Sequence, residues 1–409
     1  MVSAPTAPDR DLNDRDLYLN REINWIDFNV KVLKEALDPA VPLLEQLKFL
    51  AIFFNNLDEF FMVRVSGILK QYRNRVAGSS PDGLSPSRLL AIIRKKVLPQ
   101  IAEAEAHAHG RPVEEVHWLK TLRPGLRSAE VRIADYDELS EKSRKYLEGY
   151  FKNEIYPILT PQAIDPGRPF PMISNLSLNV LVELADPQKG TRFARVKIPK
   201  NVPRFIFIPR NKEAKTYESL GFSSNVRHVD ILPVESLVAH HLDRLFPGLQ
   251  VVSTALFRIT RNTDVEITED ESSDLLEAVK DLVDRRPFGE VVRLEVEDHI
   301  PKAIFSFLVR NFRIAPFQIY RRKGPLAFAD MMDLTSVDRP DLKDEPFIPR
   351  IPSPCTSGAP QFSTLRRRDV ILYHPYDSFV PVLDFIRRAA SDPKVVAIKQ
   401  ALYRVGSES

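Results

Sequence analysis

Between Leu43 and Phe61 the chain spells a helix with no polar side. Leu43, Leu44, Leu47, Leu50, Phe53, Phe54, Leu57, Phe60 and Phe61 recur at helical spacing without keeping to one stripe. A helix that is apolar on more than one face must be covered from several directions, which predicts a central place in a bundle. Its uninterrupted apolar run, Phe49 to Phe54, is far shorter than the roughly 20 residues that span a bilayer. The cover must therefore be protein. A chain of 409 residues, 44% hydrophobic and 28% charged, can supply it, with about two to four domains expected at roughly 100–200 residues each.

Residues 1–16 are rich in Pro, Asp and Arg and read as a frayed tail. Residues 17–117 read as an all-helical domain. Trp25, Phe28, Val32, Leu33 and Leu37 mark its first helix, which Asp38-Pro39 ends. The central helix is predicted from Pro42 to about Tyr72, and Leu89 to Ala108 resumes the pattern after a break at Gly78–Gly83. From 118 to 320 the pattern changes to a mixed α+β domain. Strands are predicted over 176–184, 193–198, 204–208, 251–260 and 290–296, with helices over Ser272–Asp284 and His299–Asn311. Residues 321–368 form a connector in which Pro340, Pro346, Pro349, Pro352, Pro354 and Pro360 leave few backbone donors. Residues 369–409 then read strand (Asp369–Tyr373), helix (Ser378–Ala390), strand (Lys394–Ile398). That is one unit of a parallel sheet, so the last region is predicted to be an α/β domain cut short.

Lysine plus arginine total 58 against 55 acids, a net charge of +3, which excludes the charge field of a dedicated nucleic-acid binder. A polyanion would have to be held by local clusters. The single cysteine, Cys355, forms no internal disulfide and suits a reducing compartment. The first seventeen residues lack the apolar core of a signal peptide, so a cytoplasmic location is expected. There is no P-loop, no dinucleotide fingerprint and no zinc spacing. Of the eight histidines, the His107–His109 and His240–His241 pairs lack ligand-type neighbours and read as surface residues.

Two segments stand out chemically. Asn55-Asn56-Leu57-Asp58-Glu59 interrupts the apolar helix with polar groups. Asn56, Phe60 and Arg64 are spaced to share a helix face, where an amide, a ring and a guanidinium can hold a nucleobase and its phosphate. The same residues equally suit a buried polar network that sets helix register. The second segment, Lys399 to Arg404, follows the last predicted strand, and ligands of open parallel sheets bind at the carboxyl ends of strands. Arg404 there fits either phosphate oxygens or a solvated ion pair. Basic clusters at Arg94–Lys96, Arg285–Arg286, Arg321–Lys323 and Arg366–Arg368 read as solvated surface, although the last two flank the connector and could converge on one anion.

Several segments together resemble the bacterial polyphosphate kinase family of the histidine-phosphorylating type. They are Leu19–Asn29 (LNREINWIDFN), Leu50–Val65 (LAIFFNNLDEFFMVRV), Leu159–Pro166 (LTPQAIDP), Pro169–Asn179 (PFPMISNLSLN), Phe257–Asp264 (FRITRNTD), Arg286–Val296 (RPFGEVVRLEV), Asp369–Phe379 (DVILYHPYDSF) and Ala397–Arg404 (AIKQALYR). The resemblance implies a helical N-terminal domain, a mixed head domain and the start of a phospholipase D-like α/β domain. It also implies reversible transfer of the ATP terminal phosphate to polyphosphate through a phosphohistidine, with Mg2+. By position, Asn56 looks like an ATP-binding residue and Arg404 like a residue of the phosphate and magnesium site.

The family's phospho-accepting histidine lies beyond the segment that ends here at Ser409, so no catalytic residue is expected in this chain, and it is expected to be inactive alone. The family further implies ATP, ADP and polyphosphate as partners, a homo-oligomer, and a cytoplasmic enzyme that can sit peripherally at the inner membrane. The alternatives are a non-catalytic nucleotide- or polyphosphate-binding module, or another phospholipase D-like phosphoryl transferase such as a phosphodiesterase.

Overall fold

The structure is a computed structural model that describes residues 11, 14–75, 80–105, 117–164, 170–188, 190–208, 229–263, 289–352 and 361–401. The predicted helix Ser272–Asp284 lies outside the described residues. The chain divides into two compact units, Met1–Asp344 and Glu345–Ser409.

In the first unit, α1 (Arg21–Leu37) starts where the Asn20 side-chain oxygen accepts the backbone N–H groups of Glu22 and Ile23, both at 3.1 Å. A cap of this kind stabilises a helix by about 1 kcal/mol. The buried stripe is Ile26, Asn29, Leu33 and Ala36, at three- and four-residue spacing. Phe28, expected on that stripe, points outward and is 55% exposed. The central helix spans the predicted range but in three pieces. They are α2 (Leu43–Glu59), a π-helical turn (Phe60–Val65) and α3 (Ser66–Arg73). α2 buries Leu44, Leu47, Leu50, Ala51, Phe53, Phe54 and Leu57, as its many-sided apolar surface requires. The last N-terminal helix, α4 (Pro86–Glu105), packs on α1 and α3.

The mixed region forms two sheets. A small one has the order β1 (Val131–Ile133), β6 (Val229–Pro233), β5 (Phe205–Ile208), with β1 parallel to β6. The large sheet runs β2 (Gln162–Ile164), β4 (Gly190–Lys197), β3 (Leu178–Asp186), β7 (Gln250–Arg261), β8 (Val291–Glu297), β9 (Ile319–Arg322). Its pairs are antiparallel except β8 with β9. All five strands predicted in this region are present.

Because side chains alternate along a strand, the large sheet feeds two cores. Val180, Val182 and Leu184 face a core shared with Leu147, Phe151, Leu237 and Val238. Leu181, Phe257, Ile259, Leu294 and Val296 face the other, covered by Ile304 and Leu308 of the helix Lys302–Phe312. A third core joins α2 to the sheets, through Phe54, Phe61, Tyr320 and Phe328. Phe328 belongs to a 3-10 helix, Phe328–Ser336, that packs on α2. Among the described residues no helix is long and apolar enough to cross a membrane.

The second unit corrects one expectation. The expected helix is present as Val380–Ser391, and Gln361–Arg367, within the expected connector, is helical too, but neither Asp369–Tyr373 nor Lys394–Ile398 forms a strand. A strand is defined by its ladder, and among the described residues neither segment has a partner for one. Ile371 is 90% and Val396 100% exposed, so the apolar side chains that would face a core are left in solvent. What holds this region locally is Asp377, whose carboxylate accepts Arg350 Nε at 2.7 Å and the Tyr373 backbone N–H at 2.8 Å.

Candidate functional site at the junction of helix and sheet

Asn56 sits in the last turn of α2, half-buried. Its Nδ2 donates to Asn29 Oδ1 at 3.0 Å, and Asn29, fully buried, donates its own Nδ2 to the Phe53 carbonyl at 3.2 Å. This chain fixes which edge of the Asn56 amide faces inward. Among the described residues Asn56 Oδ1 has no hydrogen-bond partner, so an acceptor remains on the outward side, with Asn55 exposed beside it. Both readings of this residue therefore hold in part. It belongs to a polar network and still presents an unused acceptor.

The row Asn56–Phe60–Arg64 forms, but it lies along α1, where the three side chains meet Asn29, Trp25 and Glu22 in turn. Phe60 is buried and stacks on Trp25, with centroids 4.5 Å apart and planes at 3°. The Phe60 N–H still bonds to the Asn56 carbonyl in α-helical fashion, and the π-helical turn, where the Ser66 N–H bonds back to Phe61, comes after it. Docking of α1 along this face takes Phe60 into the core. Arg64 lies 3.9 Å from Glu22 and stays one-third exposed.

Two residues beyond Asn56, Asp58 enters a buried ion network that sequence reasoning missed. Its carboxylate takes two bonds from Arg258, one of them Arg258 NH1 to Oδ1 at 3.1 Å, and one from Arg293. Glu295 accepts from Arg258 at 2.8 Å and from Arg322 at 2.8 Å. Arg293 also donates to Thr260 Oγ1, at 3.1 Å from Nε and 3.0 Å from NH2. Three guanidiniums thus share two carboxylates, all buried. Two of the cations also cover aromatic rings of the helix, Arg293 over Phe61 at 4.4 Å and Arg322 over Phe54 at 4.3 Å. Burial pushes the Glu295 carboxyl up, but Arg293, Arg258 and Arg322 outweigh it and hold it at about 2. The same pairing raises Arg258 above its ordinary range against the opposing effect of burial. The available signal was alternation. Arg258/Thr260, Arg293/Glu295 and Tyr320/Arg322 are i, i+2 pairs, and each places two polar or amphipathic groups on one face of a strand.

The network dissolves the basic cluster Arg321–Lys323, since Arg322 is inside the protein and Arg321 bonds to the Asp298 carbonyl at 2.9 Å. Arg94 is likewise structural, donating to the carbonyls of Phe317 at 2.6 Å and Ile319 at 3.1 Å. Arg404, Arg285, Arg286, Cys355, His107, His109 and His228 lie outside the described residues. His241 is not a surface residue. It is buried against Phe151, with centroids 4.4 Å apart, and burial lowers its basicity. His240 is exposed and stacks on Tyr136. His117 is buried with Nε2 3.1 Å from the Ala36 carbonyl. Among the described residues no group of three or more His, Cys, Asp or Glu side chains could hold a metal ion.

Comparison with known proteins gives a consistent result. Three family models match in order: the polyphosphate kinase N-terminal domain over residues 18–134, the polyphosphate kinase middle domain over 142–334 and polyphosphate kinase C-terminal domain 1 over 360–409. The polyphosphate kinase of Mycolicibacterium gilvum is 43% identical over 399 residues, 96% of this chain and 52% of its own length. That of Prosthecochloris aestuarii is 40% identical over 401 residues, 98% of this chain and 54% of its own. The chain thus spans about half the length of the curated relatives it matches. The crystal structure of polyphosphate kinase from Porphyromonas gingivalis superposes with a TM-score of 0.68 at 20% identity, covering 92% of this chain and 50% of that one.

Proposed function

Because the chain belongs to the polyphosphate kinase family, we propose that it carries the nucleotide-binding side of an enzyme that reversibly transfers the ATP terminal phosphate to polyphosphate. The observation that carries this reading is the outward acceptor of Asn56, held in one orientation by buried Asn29. An amide fixed in this way meets a nucleobase edge without the entropy loss of ordering a free side chain. The ion network beneath it anchors the helix to the sheet.

In this reading residues 369–409 open a phospholipase D-like α/β domain, with Arg404 a ligand of phosphate oxygens and of magnesium. When bound, magnesium would neutralise phosphate charge, and the described residues offer no ligand cluster of their own for it. The phosphohistidine is assigned to none of the described histidines. His117 and His241 are buried, and His374 has Nδ1 2.8 Å from the Asp377 carbonyl, with no carboxylate on it. The chain alone is therefore inactive in this proposal. The whole enzyme is a homo-oligomer acting on ATP, ADP and polyphosphate in the cytoplasm or at the inner face of the membrane.

Asn56→Ala should weaken ATP binding by about 1–3 kcal/mol, the range for one or two lost hydrogen bonds. Unchanged ATP affinity with a lower melting temperature would assign Asn56 to the core. A fall in affinity supports the reading, whether or not loss of the bond to buried Asn29 also lowers the melting temperature.

A further inference from the structure

Two neighbouring cations of β4 have, among the described residues, no carboxylate against them. Arg195 and Lys197 stand two apart on β4 and so share a face of the sheet. Arg195 is 5% exposed, and its bonded acceptors are neutral: Asn179 Oδ1 at 2.8 Å from Nε and Gln162 Oε1 at 2.6 Å from NH1. Lys197 Nζ donates to Ser174 Oγ at 3.1 Å. Among the described residues, no carboxylate lies within 4.0 Å of either. Burial pulls both groups below their ordinary basicity, and Arg195 and Lys200 pull Lys197 further down. Among the described residues the other deeply buried arginines, Arg204, Arg258, Arg293 and Arg322, are each paired with an acid.

The cations border a turn that is unusually well fixed. Ser177 Oγ donates to the Ser174 carbonyl at 2.8 Å, and Asn179 Nδ2 donates to the Ser177 carbonyl at 2.8 Å, closing a polar circuit from Arg195 to Lys197. On its other side Arg261 donates Nε to the Ile173 carbonyl at 2.8 Å and its backbone N–H to Asn175 Oδ1 at 2.7 Å. Leu176, at the centre, has φ 55°, a left-handed conformation that a leucine adopts only when its surroundings impose it. Uncompensated positive charge beside a fixed turn is the arrangement of a preformed anion cradle.

We propose that Arg195, Lys197 and the turn Ile173–Ser177 form an oxyanion site that takes a phosphate group, either of a polyphosphate chain or as free orthophosphate. Its residues are not those of the Asn56 face, and it stands or falls independently of the role given to Asn56. Arg195 supplies a rigid planar fork and Lys197 a mobile ammonium, a pair that can grip one tetrahedral anion from two sides.

The test is the affinity of the full 409-residue chain for tripolyphosphate and for orthophosphate, at ionic strength matched with sodium chloride. Lys197→Gln changes a half-exposed side chain and should leave the fold intact while weakening binding about tenfold or more, as expected for losing one charged hydrogen bond. Arg195→Lys keeps the charge and should lose part of the affinity. Binding of tripolyphosphate alone identifies the chain as the ligand, and equal binding of orthophosphate identifies the single anion. Either supports the site if Lys197→Gln weakens it about tenfold or more. Unchanged affinity in Lys197→Gln, or melting curves that respond to phosphates no more than to chloride, would overturn the proposal.

Discussion

Replacing Asp58 by asparagine should be among the most damaging conservative changes in the first unit. The wild-type cluster holds Arg258, Arg293 and Arg322 against Asp58 and Glu295. Asp58→Asn keeps the shape but leaves three buried cations sharing one carboxylate. Removing one partner of a buried ion pair costs about 3–5 kcal/mol, because the other charge stays desolvated. If the 344 residues of the first unit melt together, at about 2.1 cal/mol/K of unfolding entropy per residue, that is a fall of about 4–7 °C in Tm. The informative companion is Asp58→Asn with Arg258→Gln, which restores the wild-type excess of one cation over the acids. It should lose less stability than the two single changes added together, by about 1–3 kcal/mol. Urea titrations of the four proteins, followed by tryptophan fluorescence, give the cycle directly. A cost below about 1 kcal/mol for Asp58→Asn, or strict additivity in the double variant, would show that the network does not act as a unit.

Three further outcomes follow from the same geometry. Glu295 sits at about 2 when folded and near 4.5 when unfolded, so its contribution is complete above about pH 5 and is lost as pH falls toward 2; this is about 3 kcal/mol of acid sensitivity, and Glu295→Gln should flatten that limb of the stability curve. Arg204 ties Glu235 at 2.6 Å to the carbonyls of Leu326 at 2.8 Å and Ala327 at 2.5 Å, so Arg204→Met should speed amide exchange across Phe328–Ser336, and unchanged exchange there would refute the tie. Incubation of the chain with γ-labelled ATP and magnesium should leave no acid-labile, base-stable label on protein. Stoichiometric label, lost on changing one of the histidines present, would mean that one of them is a nucleophile after all.

Elements were the most legible part of the sequence, because each is written in a local period. The helical stripe of α1, the many-sided α2 and the five alternating strands of the mixed region all appear where their patterns lie. Patterns failed where the deciding contact is distant in sequence. Asp369–Tyr373 and Lys394–Ile398 have strand composition, yet strand formation depends on a neighbour that composition does not reveal. The i, i+4 row Asn56–Phe60–Arg64 was legible, but not that α1 docks along it and takes Phe60 into the core against Trp25. Asn56 was identifiable as a polar break in an apolar helix. Its supporting Asn29 was not, since the two are 27 residues apart and meet only after α1 docks on α2. The ion network has the same character. Its members come from α2 and three strands, and only the alternation of charge along β7 and β8 hinted that one sheet face was not apolar.

The way α2 is held also bears on where this molecule can be cut. The N-terminal and middle family segments meet between residues 134 and 142, which looks like a natural place to separate or exchange parts. Yet α2 shares a core with Tyr320 and Phe328, and its Asp58 is matched by arginines found only on the far side of that boundary. A helical segment taken alone would expose the Phe54 and Phe61 rings together with an acid whose partners stayed behind. The sheet, in turn, would keep three arginines around a single glutamate. The two segments can be inherited, swapped or expressed only as a pair, and transfer into a new protein must take the helix and its sheet together.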